Sequence, residues 1–240
     1  MDEVRRRLQQ QICGHRGRKG DPLYGIRTII RCDPDRLTER QWRRFDEALA
    51  AGVPVEFGRR LTSVDELADG AVEQLSQLMA IQSVSSLNPD GVNEHAQAVA
   101  DAARAAGAAD ATVVSEAGGL PAVIAHWPAP QGQPTILLYS HGDVQPTGDV
   151  SQWHSEPFVA TKRGERLFGR GSADDKGGVV SHLTALKAFD GNPPVGVTLF
   201  VEHEEEIGSP SMTSIIEAHK DELAADVIVV ADSVNWEQGV

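Results

Sequence analysis

The residues of this sequence best suited to chemistry are His, Asp and Glu side chains that follow apolar runs. The run at residues 135–139 leads to His141 and Asp143, and the run at residues 195–201 leads to the acidic stretch 202–206. Buried strands bring the residues after them to the carboxyl edge of a sheet, where ligands bind in open α/β folds. Imidazole and carboxylate groups are ligands for divalent cations. The pattern therefore predicts a metal site at this edge.

Two further acidic positions extend this pattern. Asp232 follows the apolar run 225–231, and Asp174 lies in the glycine-rich stretch 169–178, ahead of a helical pattern. Each feature alone has an ordinary structural explanation, such as a hydrogen-bonded histidine, a solvated acidic helix start, a tight turn or a helix cap. Their joint position after successive strands favours the metal site over those explanations.

The elements that must position these residues form an α/β pattern. The apolar runs of strand length are residues 112–114, 122–126, 135–139, 195–201 and 226–231, and the helical segments include 93–106, 178–189 and 211–223. Buried strands that alternate with helices are typical of an α/β fold with a mostly parallel sheet and flanking helices. A short, helical, basic segment precedes this fold, so we expect a basic N-terminal extension over residues 1–55 and a second domain over residues 56–240.

The charge distribution separates the same two parts of the chain. Residues 1–60 carry 14 Lys and Arg against 9 Asp and Glu, whereas residues 61–240 carry 8 against 26. The acidic part repels phosphate groups, which disfavours nucleic acid and anionic membranes as partners and favours cations or a small substrate. A nucleic-acid-binding module built on residues 1–60 is an alternative interpretation that this charge argues against.

Composition also predicts where the protein works. No apolar stretch approaches the roughly 20 residues that a transmembrane helix needs, and the charged N-terminus lacks the apolar core of a secretory signal. Two cysteines, Cys13 and Cys32, are too few for a disulfide framework. We therefore expect a cytoplasmic protein without a membrane partner.

Other catalytic motifs each fail at a defining position. Asp174 stands where a dinucleotide-binding fingerprint requires Gly or Ala, and Gly177 stands where a phosphate-binding P-loop requires Ser or Thr. Ile207 stands where a zincin helix requires its second His, and the sequence contains no G-x-S-x-G nucleophile elbow. These failures disfavour nucleotide binding and serine hydrolysis.

Three blocks resemble the signatures of one enzyme family. They are residues 141–146 (His-Gly-Asp-Val-Gln-Pro), 169–177 (Gly-Arg-Gly-Ser-Ala-Asp-Asp-Lys-Gly) and 204–210 (Glu-Glu-Glu-Ile-Gly-Ser-Pro). The family comprises the di-zinc metallopeptidases related to carnosine dipeptidase, acetylornithine deacetylase, succinyl-diaminopimelate desuccinylase and carboxypeptidase G. The resemblance covers residues 61–240 and leans towards the dipeptidases. It implies a zinc-peptidase catalytic fold and a metal-dependent hydrolase of dipeptides or N-acyl amino acids.

The resemblance also implies a set of metal ligands. His141 and Asp232 would hold one metal ion, Asp174 would bridge two ions, and Glu206 would hold the second. The implied cofactors are two Zn²⁺ ions, or Mn²⁺ or Co²⁺ in their place. A bridging carboxylate suits this arrangement because it offsets the charge of two neighbouring cations.

The two implied catalytic residues are Glu205 and Asp143. Glu205 would be the general base, because a carboxylate beside the activated water that is not itself a ligand can take its proton. Asp143 would orient the imidazole of His141 and raise its basicity.

At the C-terminus the sequence departs from the family pattern. The family continues into a lid and dimerisation domain and then supplies a last His to the second metal, whereas this sequence ends at Val240. We therefore expect an incomplete catalytic domain with one tightly bound metal ion and little activity, and the oligomeric state stays open. The alternative function is a truncated fusion product, catalytically weak or inactive, that binds a single metal.

At the N-terminus the sequence also departs from the family. Residues 4–50 resemble an internal stretch of bacterial insertion-sequence transposases, without the catalytic carboxylates of those enzymes. The resemblance implies that residues 1–55 are a transposase-derived fragment and that residues 56–240 are the N-terminal part of a metallopeptidase catalytic domain.

Overall fold

The structure, a computed structural model, describes residues 57–164 and 166–232. The chain divides into two units between Ala68 and Asp69. Of the first unit, the described part is residues 57–68, which begin the first helix. The predicted extension over residues 1–55 and both cysteines lie outside the described residues, so their predicted properties stay predictions.

Two helices and then five strands come first in the described residues, and the helix–strand alternation that the apolar pattern predicts is confined to residues 176–230. The helices are α1 (Phe57–Ala80), α2 (Pro89–Ala105), α3 (Lys176–Ala188) and α4 (Met212–Ala218). The strands are β1 (Asp110–Val114), β2 (Ala122–Trp127), β3 (Thr135–His141), β4 (Thr161–Arg163), β5 (Arg166–Phe168), β6 (Gly196–Glu202) and β7 (Val227–Val230). Among these helices, none is long and apolar enough to cross a membrane.

Local sequence explains where α2 begins. Asn88 precedes the helix, and its side-chain oxygen accepts a hydrogen bond of 3.2 Å from the backbone N–H of Gly91. Pro89 follows at the first helical position, where a missing backbone N–H costs nothing because that N–H has no helical partner. The helix therefore starts four residues before the predicted segment 93–106.

The central sheet has five strands in the order β1-β2-β6-β3-β7. β3 pairs in parallel with β6 and with β7, whereas β2 runs antiparallel to both β1 and β6. Four of the five strands thus point the same way and β2 is reversed, so the predicted mostly parallel sheet is a mixed sheet. β4 and β5 form a separate antiparallel pair.

The core lies on both faces of this sheet. One cluster joins the sheet to α2 and α3 through buried residues such as Val99, Val123 and Leu183. The opposite face packs against α4 through Phe200 and Ile215. All seven residues of β6 are buried, which fixes this strand as the centre of the fold.

Candidate metal centre

The topology brings four chain segments to one edge of the sheet. β3 ends at His141, and β7 ends two residues before Asp232. Because β3, β6 and β7 are parallel, their carboxyl ends lie at the same edge. The loop before α3 supplies Asp174 to this edge, and the turn after β6 supplies Glu205.

His141, Asp174 and Asp232 form a compact group of potential metal ligands. One ligand atom from each residue lies within 4.8 Å of the other two. The Nε2 atom of His141 is 2.9 Å from a carboxylate oxygen of Asp174 and 3.9 Å from one of Asp232. The His141 side chain is fully buried, whereas that of Asp174 is 67% exposed. The group is therefore anchored from inside and open to solvent outside.

The chemistry of these donors fits a divalent cation. The Nδ1–H of His141 donates to the backbone carbonyl of Asp143 at 3.1 Å, so Nε2 of the neutral ring carries a lone pair. That lone pair faces two carboxylates, an arrangement that needs a proton or a cation between them. Two ligands bound at about 2.1 Å in tetrahedral geometry lie about 3.4 Å apart, close to the separations observed here.

Asp143 and Asp175 hold His141 from the protein interior. A carboxylate oxygen of Asp143 lies 3.4 Å from Nδ1 of His141, and Asp175 accepts a hydrogen bond of 3.2 Å from the backbone N–H of His141. Burial alone would lower the pKa of His141, but hydrogen bonding to Asp143 and its negative charge raise that pKa to about 10. The same carboxylates that favour a proton on the ring also favour a cation there.

The electrostatics of the two supporting carboxylates differ. Burial would raise the pKa of Asp143, but the neighbouring His141 and Ser85 side chains hold it below its ordinary value. Burial raises the pKa of Asp175 to about 6, with the negative charge of Asp232 adding to the increase. Asp143 therefore stays ionised to a lower pH than Asp175 does.

Glu205 lies beside the group without belonging to it. Its carboxylate oxygen is 3.9 Å from Nε2 of His141, and its side chain is 38% exposed. Partial burial raises the pKa of Glu205, with Asp232 and Glu206 adding to the increase and His141 opposing it. An exposed carboxylate next to potential ligands, with a pKa above its ordinary value, is suited to accept a proton.

Glu206 is the predicted metal ligand that lies outside the group of His141, Asp174 and Asp232. Its two carboxylate oxygens accept hydrogen bonds from Gln145, at 3.2 Å from the backbone N–H and at 2.9 Å from the side-chain amide. The backbone N–H of Glu206 donates to Asp143 at 3.1 Å. The backbone of this turn is thus bonded to Asp143, while the Glu206 carboxylate faces Gln145.

The sequence pattern does not predict several polar residues that are buried beneath the site. Lys176 is fully buried and donates to the carbonyls of Leu78 and Ile81 at the end of α1. His95 and His203 are also fully buried and lie 3.0 Å apart through Nδ1 and Nε2. Burial lowers the pKa of His203 to about 4. No local signal identifies these residues, since their partners come from distant segments.

A surface cavity adjoins the loop that carries Asp174. Its volume is about 490 Å³, and its lining includes Trp153, Arg163, Phe168 and Ser172. Ser172 is two residues from Asp174. The cavity provides space for a ligand of modest size beside the glycine-rich stretch that precedes Asp174.

Comparisons with known proteins agree with this geometry. Residues 137–240 match peptidase family M20/M25/M40. The chain is 38% identical to a cysteinylglycine-S-conjugate dipeptidase of Corynebacterium striatum over 110 residues, which are 45% of this chain and 24% of the relative. It is 32% identical to the human beta-Ala-His dipeptidase over 119 residues, 48% of this chain and 24% of the relative.

Solved structures extend the match to most of the described fold. Human carnosine dipeptidase 1 matches with a TM-score of 0.66 and 27% identity, over 74% of this chain and 41% of that one. An M20 metallo-carboxypeptidase from Sulfolobus solfataricus matches with a TM-score of 0.63 and 30% identity, over 69% and 37%. The chain thus spans about a quarter to two fifths of the proteins that it matches. Through residues 137–240 it is related to the M20/M25/M40 peptidases, its fold is that of their catalytic domains, and its relatives include dipeptidases.

Proposed function

We propose that this chain supplies the cation site and the general base of a metal-dependent hydrolase that cleaves dipeptides or N-acyl amino acids. The observation that carries the proposal is the group of His141, Asp174 and Asp232, with Glu205 directly beside it. The dipeptidases among the relatives support the substrate class. Zn²⁺, Mn²⁺ and Co²⁺ all suit one imidazole and two carboxylates.

His141, Asp174 and Asp232 would hold the cation. A bound divalent cation lowers the pKa of water towards about 7 and polarises a carbonyl group. Glu205 would take a proton from the attacking water and return it to the leaving amine. Its raised pKa suits both steps, because a carboxylate that is too acidic would keep no proton to return.

Asp143 and Asp175 would position the imidazole rather than touch the substrate. Asp143 keeps Nδ1 occupied, so Nε2 is the nitrogen that faces the carboxylates. Asp175 holds the backbone at the end of β3. Such supporting contacts typically change metal affinity by about 10–100-fold.

A second cation is expected to bind more weakly. Asp174 would be shared with it, and Glu206 would have to exchange its hydrogen bonds to Gln145 for the cation. Two carboxylates without an imidazole make a poorer site than the group around His141. The proposed stoichiometry is therefore one tight ion.

The test combines cation binding with hydrolysis by the full chain. Equilibrium dialysis against Zn²⁺, Mn²⁺ and Co²⁺ measures binding, and turnover of Cys-Gly, β-Ala-His and an N-acetyl amino acid measures activity. Cation-dependent hydrolysis of one of these substrates supports the proposal. Tight cation binding with no turnover of any of them would contradict the hydrolase function.

Tight cation binding without turnover would fit a second candidate function, that of a catalytically weak or inactive protein that binds a single metal. The hydrogen bonding of both Glu206 carboxylate oxygens to Gln145 favours it, since this leaves one complete ligand group. Supplying, in trans or as a fusion, the family segments that lie beyond the matched part of the relatives would separate the two candidates. Restored turnover would favour the hydrolase.

A further inference from the structure

Glu204 precedes the predicted base and lies outside the ligand group, yet its side chain is buried, with 4% exposure. One carboxylate oxygen accepts a hydrogen bond of 2.8 Å from the backbone N–H of Leu120. The other accepts hydrogen bonds from Ser211, at 2.9 Å from the backbone N–H and 2.6 Å from the hydroxyl. Glu204 therefore joins the loop before β2 to the start of α4.

The surroundings of Glu204 suit a carboxylate specifically. The three groups that bond to it are the backbone N–H groups of Leu120 and Ser211 and the hydroxyl of Ser211, and all three donate. A carboxylate can accept from all of them. A glutamine amide would point an NH₂ group at one or two of those donors. A Cβ atom at Gly119 would lie 2.9 Å from Glu204 and 2.5 Å from Ser211, so the loop approaches this closely only with glycine.

The backbone of Glu204 holds the turn that follows. Its carbonyl accepts hydrogen bonds from Ile207 at 3.1 Å and from Ser209 at 2.8 Å. Gly208 completes the turn in the left-handed region, with φ of 86°. On the other side, Glu206 donates its N–H to Asp143. The turn is therefore fixed at one end by Glu204 and at the other by the support of His141.

We propose that Glu204 is a positioning residue that fixes the turn of Glu205 and Glu206 relative to the His141 group. The proposal rests on the proposed function for its catalytic consequence, since it assigns Glu204 no contact with substrate or cation. In this role the buried Glu204 carboxylate, whose hydrogen-bond donors are all uncharged, ties two segments of the chain together. Loss of the carboxylate would let the turn move, and displacements near 1 Å can cost about 10²-fold in rate.

The test uses Glu204→Gln in the full chain, with Val99→Ala in the core of α2 as the control for lost stability. Hydrogen exchange by NMR follows the amide of Glu206, which reports local opening of the turn, and the amide of Leu199 in β6, which reports global unfolding. For Glu204→Gln the Glu206 amide is expected to exchange about tenfold faster than in the unaltered chain, since a buried unsatisfied donor weakens the turn locally. For Val99→Ala the Leu199 amide should exchange faster because the core is weakened, while the Glu206 amide should stay within about twofold of its rate in the unaltered chain.

Turnover with added Mn²⁺ is the second readout. Glu204→Gln should lower kcat about 10–100-fold with KM within about twofold, because the base moves and the cation group does not. Gly119→Ala perturbs the same contact without changing the turn's sequence, and it should shift both readouts in the same direction. A Glu206 amide that exchanges no faster in Glu204→Gln and Gly119→Ala than in Val99→Ala would overturn the proposal. Absence of turnover in the unaltered chain would count against the proposed function, and the exchange rate of the Glu206 amide would then decide the role of Glu204.

Discussion

The inner and outer sides of the candidate metal centre are built differently. On the inner side His141, Asp143 and Asp175 are buried and hydrogen-bonded to one another or to backbone groups. On the outer side the carboxylates of Asp174, Asp232, Glu205 and Glu206, here called the rim, are more exposed. Among the described residues, no Lys or Arg forms an ion pair with the rim.

This difference separates two tasks. Buried, hydrogen-bonded groups have fixed geometry, so the inner side sets the orientation of His141. Like charges that lie close together repel, so a bound cation relieves the repulsion between the rim carboxylates and lowers their free energy. Changes to the rim should therefore alter binding and chemistry with little effect on folding, whereas changes to the inner side should alter both.

The largest expected effect is on turnover, from the rim variant Glu205→Gln. Any dipeptide hydrolysis should fall about 10²–10⁴-fold, because the proton acceptor is lost. Cation affinity should change little, since Glu205 is outside the ligand group. The matched control is Glu217→Gln, an exposed position on α4. Loss of the tight cation in Glu205→Gln would show that Glu205 is a ligand and that its role is exchanged with that of Glu206.

Asp174→Asn should have the next largest effect, on cation affinity. Removing a ligand that Nε2 of His141 approaches at 2.9 Å should weaken binding by at least about 10²-fold, more than loss of a supporting contact. The free energy of unfolding without cation should change by less than about 0.5 kcal/mol, because the side chain is exposed. Isothermal titration and urea denaturation measure the two quantities. Unchanged affinity would remove Asp174 from the ligand group.

His203, a buried imidazole behind the inner side, gives the fold a pH dependence. His203 has a pKa of about 4 when folded, lowered by burial and by nearby Lys176 and His141 while Asp143 opposes, against about 6.5 when unfolded. The unfolded chain therefore binds more protons between these values, and the free energy of unfolding falls by about 3 kcal/mol as pH drops from 6.5 to 4. His203→Gln should lose this contribution. The measurement is the free energy of unfolding from urea denaturation at several pH values, compared between the variant and the unaltered chain. The same pH dependence in both proteins would contradict a buried, neutral His203.

Asp143→Asn tests the link between the inner side and the rim. Cation affinity should fall about 10–100-fold because His141 loses its supporting carboxylate. Stability should also fall by about 1–3 kcal/mol because the buried NH₂ group of the new amide must face either the N–H of Glu206 or Nδ1–H of His141, and both of these are donors. A loss of stability with unchanged cation affinity would separate Asp143 from the metal centre.

The sequence predicts the strands and the ligand group better than it predicts the details between them. Apolar runs identify β3 and β6, and residues after parallel strands must share one edge, so His141 and Asp232 could be brought together in advance. The reversed direction of β2 could not, because an apolar run carries no information on its direction.

The side chains of the turn after β6 show a similar limit. Glu205 and Glu206 are adjacent and chemically identical, and only the backbone of the turn sends one towards His141 and the other towards Gln145. Lys176 was not predicted as a buried residue because its acceptors, the carbonyls of Leu78 and Ile81, are nearly a hundred residues away in sequence. Buried polar residues become predictable only when their partners are known.

The most direct test of the account is the number of divalent cations that bind tightly to the full chain. Equilibrium dialysis with Zn²⁺, followed by metal analysis, should give one tight ion for the unaltered chain and none for Asp174→Asn. That result would follow from one complete ligand group at His141, Asp174 and Asp232. Two tight ions would show that Glu206 leaves Gln145 readily and completes a second site. No tight ion in the unaltered chain would contradict the metal centre itself.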